Sequence, residues 1–476
     1  MTLPHARNLI DGQWRDGHAV GTSLDPATGR PLGTFADAGA VTARAAIDAA
    51  RRVFDTTTWS QDRHARASAL FALADAMTVR RDELVELLSR ENGKKLADAA
   101  MEVDGTIPKL RYNAALALTD SGRAAQLAPG MYSMALPQPI GVAAVIVPWN
   151  SPIILAVRSF APALAAGCTV AMKMPAQTAL TNGLLYELIA EAIPAGVVNA
   201  FTESGNTGAP VLVSDPNSDV ISYTGSTVVG RAIMAAAAPG LKPVSLELGG
   251  KSPMIVFDDA DLDAVVPTLT AAITTFSGQF CMAGSRILVQ RGIADELREL
   301  MAEALTRVKV GPGTDPETDM GPLIDRAAAE RVDRFVGEAA GYAKVLVRGG
   351  LVEPTGTSAF LRPALIEVAD VTMPVVQDEI FGPVATFEIF DTELDAIERA
   401  NATQYGLAAS IWTRDVDRPM RVGRRIDAGT VWTNTWGVIH DQMEEGGFKH
   451  SGLGRLNGHR AIEEFQEIKH IVHQGN

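Results

Sequence analysis

Hydrophobic and polar positions form two kinds of pattern along the chain, one typical of buried strands and one typical of helices. Short continuous apolar runs, which are typical of strands buried in parallel sheets, occur at 141–147, 169–173, 197–201, 219–223 and 243–247. Stretches with the apolar spacing of helices separate several of these runs, at 153–166, 179–192 and 226–238. Strands that alternate with helices of this length predict a parallel α/β sheet.

The same alternation resumes after residue 250 and predicts a second α/β unit, with strands at 253–257, 286–290, 343–347, 384–390, 408–412 and 429–432. Ahead of the first unit, residues 8–35 carry turn signals that predict short strands and hairpins. Alanine-rich stretches at 41–54, 62–90 and 95–118 predict helices. No long low-complexity linker separates the two units, so we expect them to pack closely.

Composition narrows the classes of partner. The 476 residues are 47% hydrophobic and 21% charged, which provides enough apolar material for two large domains. A net charge of −14 argues against binding to nucleic acid and to anionic membrane surfaces. The most apolar stretch, 140–172, is broken by Pro148, Arg158 and Pro162, and it predicts buried strand and helix rather than a membrane span.

The chain contains two cysteines, Cys168 and Cys281, which cannot build a disulfide framework. There is no CxxC pair, and we expect no metal site. The first residues show no apolar core of a secretory signal, which favours a reducing, cytoplasmic location.

Three residues are candidates for the chemistry. Cys281 lies in a glycine-bearing turn that could face a cleft, whereas Cys168 has apolar neighbours and is expected to be structural. Glu247 ends an apolar strand, where a carboxylate faces the crevice of an α/β sheet and could act as a general base. Asn150 follows the strand at 141–147 and could donate to an oxyanion. The alternatives are a buried structural thiol, a solvated loop glutamate and a turn-forming asparagine.

Two further segments could hold a cofactor. Residues 223–230 form a strand, a turn with Gly225 and Ser226, and a helix, whose first N–H groups suit a pyrophosphate. A plain helix cap by Ser226 or Thr227 is the alternative. Lys173, at a strand end, could meet ribose hydroxyls or phosphate, or it could simply extend its ammonium group to solvent.

Taken together, these segments resemble the aldehyde dehydrogenase superfamily over essentially the whole chain and in the expected order. The shared segments are 147–150, Lys173, 223–230, 247–251, 278–281 with Arg286, 379–383, Asn401, 405–407, Asn434 and 446–452. The resemblance implies that Cys281 attacks the carbonyl of a small aldehyde. Asn150 and the backbone N–H of Cys281 would form the oxyanion hole, and Glu247 would activate Cys281 or the hydrolytic water.

The resemblance also implies how NAD or NADP would be held. Glu379 and Lys173 would bind ribose hydroxyls, and Phe381 would pack near the nicotinamide ribose. Trp149 and the turn at Gly225 and Ser226 would face the phosphates.

The fold that the resemblance implies is α/β, with two parallel-sheet Rossmann-like domains and a small β oligomerisation arm. Residues 1–118 and 140–249 would form the dinucleotide-binding domain, and 250–449 the catalytic domain. Residues 119–139 and 450–476 would form an arm and tail that bridge subunits of a homodimer or homotetramer.

One departure from the family concerns the cofactor. Many NAD-preferring members carry a glutamate three residues after the strand lysine, where it grips the adenosine ribose, but this chain has Ala176 there. A carboxylate at that place repels a 2′-phosphate. The alanine therefore predicts that NADP is accepted, alone or together with NAD.

The other departures concern the aldehyde tunnel. Arg158 and Glu445 stand where many members have Trp and Phe. Arg158 could anchor an anionic substrate tail, or the two residues could pair and neutralise each other. With Phe280, Met282 and Trp436 nearby, we expect an aldehyde that is aromatic or bears a polar or carboxylate tail.

The chemistry accounts for the residue types. Thiolate addition to an aldehyde makes a tetrahedral oxyanion that expels hydride, and the resulting thioester needs a base to be hydrolysed. One alternative is a CoA-acylating dehydrogenase, which Glu247 as a water-activating base argues against. The other is a non-catalytic scaffold on the same fold, which the joint presence of Cys281, Glu247 and Asn150 argues against.

Overall fold

The structure is a computed structural model that describes residues 3–119, 121–353 and 356–475. Its N-terminal part contains short strands followed by helices: β1 (His5–Ala6), β2 (Asn8–Ile10), β3 (Gln13–Arg15), β4 (Ala19–Leu24), β5 (Pro31–Asp37), α1 (Ala40–Thr56), α2 (Arg63–Val79), α3 (Arg81–Asn92) and α4 (Leu96–Thr119). The single helix predicted at 62–90 is wrong, because Arg80 leaves the helical conformation (φ −100°, ψ 21°) and separates α2 from α3.

The middle of the chain alternates strands and helices as predicted. Its elements are β6 (Arg123–Ala128), β7 (Met131–Pro139), β8 (Val142–Ile146), α5 (Pro152–Ala166), β9 (Thr169–Pro175), α6 (Ala179–Ala192), β10 (Val198–Glu203), α7 (Gly208–Ser214), β11 (Val220–Thr224), α8 (Thr227–Ala237) and β12 (Val244–Glu247).

The C-terminal half repeats the alternation. Its elements are β13 (Pro253–Val256), α9 (Leu262–Thr274), β14 (Arg286–Gln290), α10 (Ala294–Arg307), α11 (Arg326–Ala339), β15 (Lys344–Val347), β16 (Gly350–Leu351), β17 (Leu361–Arg362), β18 (Ala364–Val368), α12 (Pro374–Gln377), β19 (Val384–Phe390), α13 (Glu393–Asn401), β20 (Ala408–Trp412), α14 (Arg418–Gly423), β21 (Thr430–Thr433), β22 (Gly452–Leu453), α15 (Arg460–Glu463) and β23 (Gln466–Gln474). The buried strand β18 is absent from the predicted set.

Two large sheets form the centre of the molecule, which confirms the predicted α/β fold. The first has the order β22-β12-β11-β8-β9-β10-β2-β3, and the second has the order β15-β18-β19-β14-β13-β20-β21. Their central strands are parallel, and β2, β3, β15 and β22 add antiparallel edges. In the first sheet the strand order reverses beside β8, and ligands of open α/β sheets bind at the carboxyl ends of strands at such a point.

A smaller antiparallel sheet has the order β23-β7-β6. It joins the segment predicted as an arm (119–139) to the end of the segment predicted as a tail (450–476), through a register that runs from Gln466 opposite Pro139 to Gln474 opposite Met131. Positions 1, 2, 120, 354, 355 and 476 of the predicted domain ranges lie outside the described residues.

Apolar clusters fill both faces of the large sheets. The largest packs α2–α6 against the first sheet and contains Cys168, which is fully buried and whose thiol donates to the carbonyl of Phe465 at 3.4 Å. This agrees with the structural role predicted for Cys168. Within the described part of the chain, none of the helices has both the length and the hydrophobicity of a bilayer span.

Candidate active site

Cys281 follows a turn whose backbone is unusual. Phe276 and Ser277 have positive φ angles of 51° and 56°, a region that side chains other than glycine rarely adopt. The Ser277 hydroxyl donates to the carbonyls of Gly321 and Pro322 at 2.9 and 3.0 Å, which holds the turn in place. Such conformations persist where the surroundings impose them, and they cluster at functional sites.

Two glycines allow other segments to approach this turn closely. A Cβ on Gly278, which has a φ of 71°, would lie 2.3 Å from the backbone carbonyl carbon of Gly382. A Cβ on Gly250 would lie 2.5 Å from the carbonyl oxygen of Cys281. The Cys281 turn is therefore packed between the loop that follows Glu247 and the loop that carries Glu379.

Asn150 is joined directly to the same turn. Its side-chain amide is buried and donates to the carbonyl of Gln279 at 3.1 Å, two residues before Cys281. The Gln279 side chain accepts in turn from the N–H of Ile324 at 2.9 Å. The backbone N–H of Cys281 has no acceptor within the described residues. The structure thus brings together both groups predicted to stabilise an oxyanion.

Glu247 is the last residue of β12, and its side chain is buried, with 3% of the residue exposed. Its Oε1 has no hydrogen-bond partner among the described residues. Loss of solvation raises the pKa of Glu247 to about 8, while the positive charge of Arg158 opposes the rise and Glu445 adds to it. A carboxyl group with this pKa can exchange a proton near neutral pH.

Cys281 as a whole residue is partly exposed. Desolvation by its neighbours raises the pKa of Cys281 to about 12, and the charge of Arg158 opposes the rise. The resting thiol is therefore protonated at neutral pH, and its attack on a substrate requires a base that takes up the proton.

Arg158 and Glu445 form a buried ion pair with 2.8 Å between Nη1 and Oε1. The other terminal nitrogen of Arg158 donates to the hydroxyl of Thr224 at 3.1 Å. Of the two arrangements that the sequence left open, the structure contains the paired one.

Aromatic side chains pack beside the thiol. The rings of Phe280 and Trp436 meet edge to face with centroids 5.8 Å apart, and the indole N–H of Trp436 donates to the carbonyl of Met282 at 2.9 Å. The Met282 side chain itself is buried, with 1% of the residue exposed, in a cluster with Leu407 and Trp432. The Met282 side chain thus packs in an apolar cluster beside Cys281.

The residues predicted to bind a cofactor line the edge of the first sheet and the loop before β19. Trp149 and Phe381 stack edge to face at 5.4 Å, and Oε1 of Glu379 accepts the N–H of Gly250 at 3.1 Å. Burial raises the pKa of Glu379 to about 7. The Lys173 ammonium forms no hydrogen bond within the described chain, and burial lowers its pKa while Glu203 opposes the change.

Ser226 caps α8, and its hydroxyl accepts the N–H of Val229 at 3.4 Å. The neighbouring Gly225 donates its N–H to the carbonyl of Glu247. Ala176 begins a short 3-10 turn after β9 and brings no charge to it. The ammonium of Lys173 has no hydrogen bond within the described chain, and the carboxylate of Glu379 is partly free. Together with the start of α8 along the same crevice, these groups fit a dinucleotide.

Sequence reasoning missed several polar residues of the site. Lys251 is buried with no hydrogen-bond partner for its ammonium among the described residues, and burial lowers its pKa to about 7. Thr224 and Asn457 contact Arg158 and Glu445. Thr224 lies within the segment 223–230 but was not singled out there, and no motif marks Asn457. Lys251 could have been found from its place in the segment 247–251. In the described chain, no three His, Cys, Asp or Glu side chains are grouped as a metal site would need.

Comparison with known proteins agrees with this arrangement of the site. The family model described as "Aldehyde dehydrogenase family" matches residues 14–471. Phenylacetaldehyde dehydrogenase of Pseudomonas fluorescens is 37% identical, with 99% of this chain and 96% of the relative covered. The NADP(+) succinate-semialdehyde dehydrogenase GabD of Escherichia coli (strain K12) is also 37% identical, with 97% and 96% covered.

A crystal structure of betaine aldehyde dehydrogenase from Staphylococcus aureus in complex with NAD+ superposes with a TM-score of 0.96. The two sequences are 34% identical, and the match covers 99% of this chain and 95% of the other.

The raised pKa of Glu247 leads to a prediction about stability. The folded protein retains this proton up to about pH 8, whereas the unfolded chain releases it near pH 4.5. The folded state therefore loses stability as the pH rises through this window. We expect Glu247→Gln, which cannot ionise, to melt at a higher temperature than the wild type, by a margin that grows from pH 5 to pH 8 and is constant above. Thermal unfolding followed by circular dichroism measures the margin.

The exposed Glu467→Gln provides the matched control. A difference in melting temperature between Glu247→Gln and the wild type that does not change with pH would contradict the prediction.

Proposed function

Because the chain belongs to the aldehyde dehydrogenase family, and so oxidises an aldehyde to a carboxylic acid with NAD or NADP, we propose that Cys281 is its nucleophile. Asn150 and Glu247 act with it as oxyanion donor and base. The observation that carries this proposal is the convergence of three chain segments on the Cys281 turn, through the Asn150 amide, Gly250 and the loop of Glu379.

In the first half of the reaction, Glu247 takes the proton of the Cys281 thiol, and the sulfur adds to the aldehyde carbon. The carbonyl oxygen becomes an oxyanion, which the amide of Asn150 and the backbone N–H of Cys281 stabilise. Loss of one such donor costs about 10²–10³ in rate. A bound NAD or NADP would supply the acceptor for the hydride that leaves the substrate carbon.

In the second half, the acyl group is held on Cys281 as a thioester. Once Glu247 has released the first proton to solvent, it takes a proton from a water molecule whose oxygen attacks the thioester carbon. The C–S bond then breaks, the carboxylic acid leaves, and the sulfur takes up the proton held by Glu247. A buried carboxylate with an unpaired oxygen suits this second proton transfer. The presence of this carboxylate favours hydrolysis of the thioester over transfer of the acyl group to CoA.

Along the crevice, Lys173 and Glu379 bind ribose hydroxyls, and Phe381 supports the nicotinamide ribose. Trp149, Gly225 and Ser226 face the phosphates. The free ammonium group of Lys173 and the start of α8 support this assignment.

The division into domains follows the sheets. The strands of the first sheet lie within 1–118 and 140–249 except β22, and those of the second within 250–449. We assign these ranges to the dinucleotide-binding and catalytic domains. The three-stranded sheet formed by β6, β7 and β23 exposes Leu127, Tyr132 and Val472, which supports its role as the arm of a homodimer or homotetramer. Light scattering of the purified protein measures the assembly.

Replacement of the nucleophile provides the direct test. We expect Cys281→Ser to lower kcat by roughly 10³-fold or more, because the hydroxyl is a much weaker nucleophile. Formation of NADH or NADPH with a panel of aldehydes measures the change, and product analysis with added CoA separates acid from acyl-CoA.

Cys168→Ser is the matched control, because Cys168 is the other cysteine of the chain and is buried away from the crevice. Unchanged turnover by Cys281→Ser would end the proposal. Acyl-CoA as the main product would establish the CoA-acylating alternative.

The cofactor preference is a separate proposal. Ala176 places no carboxylate beside the adenosine ribose, so nothing at that position repels a 2′-phosphate. We expect NADP to be used with a kcat/KM within ~100-fold of that for NAD. Measurement of both values, and of the loss of NADP use in Ala176→Glu, tests this. A preference for NAD above ~100-fold in the wild type would contradict it.

For the substrate we propose an aldehyde with an aromatic or other apolar body. The relatives above are named for phenylacetaldehyde, succinate semialdehyde and betaine aldehyde at similar identity, so overall similarity does not choose among them. The residues beside the thiol do: Phe280 and Trp436 offer aromatic edges, and Arg158 is neutralised by Glu445. Aromatic pairs are stabilised by about 0.5–1.5 kcal/mol beyond their buried area.

Truncation of the aromatic wall tests this substrate class. We expect Trp436→Ala to raise KM for an aryl aldehyde about tenfold, or ~1.4 kcal/mol, while KM for acetaldehyde changes little. Acetaldehyde measured with the same variant is the control for damage to the Cys281 turn, which Trp436 contacts through Met282.

The second candidate is a substrate with a carboxylate tail. The Nε of the buried Arg158 favours it, because this atom has no hydrogen-bond partner among the described residues. In that case Arg158→Ala would raise KM for succinic semialdehyde far more than for a neutral aldehyde. Equal effects on both would remove this candidate.

A further inference from the structure

Arg158 lies in the middle of α5 and is buried, with 4% of the residue exposed. Both terminal nitrogens of its guanidinium are engaged, one by Glu445 at 2.8 Å and one by the Thr224 hydroxyl at 3.1 Å. A buried charge held in this way has a fixed position.

Both partners of Arg158 belong to segments that are bonded to the strand of Glu247. Thr224 is opposite Glu247 in the parallel register of β11 and β12. Glu445 exchanges two backbone hydrogen bonds with Leu456, at 2.6 and 2.8 Å. Between these two residues the chain forms β22, which pairs with β12 opposite Glu247. The ion pair is therefore built onto the same strand end as the proposed base.

Glu445 is itself held from its far side. Its second oxygen accepts from the side-chain amide of Asn457 at 2.9 Å, and the oxygen of that amide accepts from Lys109 at 2.7 Å. Lys109 pairs with Asp441 at 2.6 Å. The carboxylate thus has partners on both oxygens and cannot follow Arg158 if the guanidinium moves.

The pair acts electrostatically on both proposed reactive groups. The largest charge effects on Cys281 come from Arg158, Glu445, Glu379 and Glu247. The largest on Glu247 come from Arg158, Glu445, Arg455 and Glu464. Arg158 is a cation common to both groups. It lowers the pKa of both groups, and Glu445 raises both.

We propose that the Arg158–Glu445 pair is a positioning device for the reaction. Arg158 supplies the positive potential that stabilises the thiolate of Cys281 and the carboxylate of Glu247, and Glu445 fixes the guanidinium and moderates its charge. The inference rests on the proposed roles of Cys281 and Glu247. It makes Arg158 a residue that acts on the machinery rather than an anchor for the substrate.

The test is the second-order rate of alkylation of Cys281 by iodoacetamide at pH 8, measured on the full-length protein without substrate. We expect Arg158→Met to slow alkylation about tenfold, because removal of the cation disfavours the thiolate. Glu445→Gln should speed alkylation severalfold, because the charge of Arg158 is then uncompensated. The pH midpoint of kcat should shift up in the first variant and down in the second.

The opposite signs separate this role from a structural one, since damage to packing would change both variants in the same direction. Arg158→Lys should restore the rate to within about threefold of the wild type, because the charge is retained. The double variant Arg158→Met with Glu445→Gln should lie between the two single variants. Cys281→Ser measures the background from Cys168.

Shifts of the same sign, or no shift in either variant, would overturn the inference. If Arg158→Met does not fold, the comparison of Glu445→Gln with the wild type decides alone: faster alkylation supports the inference, and an equal or slower rate overturns it. Alkylation does not depend on turnover, whereas the proposed roles fail only if Cys281→Ser remains active. The two failures are therefore distinguishable.

Discussion

This site depends on one constraint, which is that its ionisable groups are buried where the two large sheets meet. Glu247 lies at the carboxyl end of β12 in the first sheet, and Cys281 lies in the turn before β14 of the second sheet. The carboxyl edge of the first sheet therefore faces the amino edge of the second. Loss of solvation raises the pKa of both groups. Burial therefore brings the pKa of the Glu247 carboxyl group close to neutral, as the proposed base requires, and it keeps the proposed nucleophile Cys281 protonated at rest. The charge of Arg158 limits both effects.

Several local contacts hold the Cys281 turn in a fixed position. The left-handed backbone at Phe276 and Ser277, the hydroxyl bonds to the segment at Pro322 and the close approach of Gly278 to Gly382 all fix where the sulfur lies. The bond from Asn150 to the carbonyl of Gln279 connects the first sheet to the same turn. Oxyanion stabilisation requires donors that are in position before charge develops, and a turn held from several sides provides them.

Overall sequence similarity does not determine the substrate of this chain. Relatives of about the same identity to it are named for phenylacetaldehyde, succinate semialdehyde and betaine aldehyde. The aromatic pair Phe280–Trp436 is our proposed substrate wall, and Arg158 and Glu445 pair with each other. An arginine whose partners are already in place contributes its field to the site more than its hydrogen bonds to a ligand.

The amino-acid pattern alone predicted the alternation of strands and helices and indicated Cys281, Glu247 and Asn150 as candidates for the chemistry, because periodicity and short motifs are local properties. Tertiary structure alone decided the rest. Arg158 and Glu445 are separated by 287 positions, and the sequence left open whether they pair. Lys251 and Met282 are buried by segments remote in sequence, and β18 pairs where a local pattern indicated nothing. Pairing, burial and pKa depend on which distant segments pack together, and one-dimensional spacing does not contain that information.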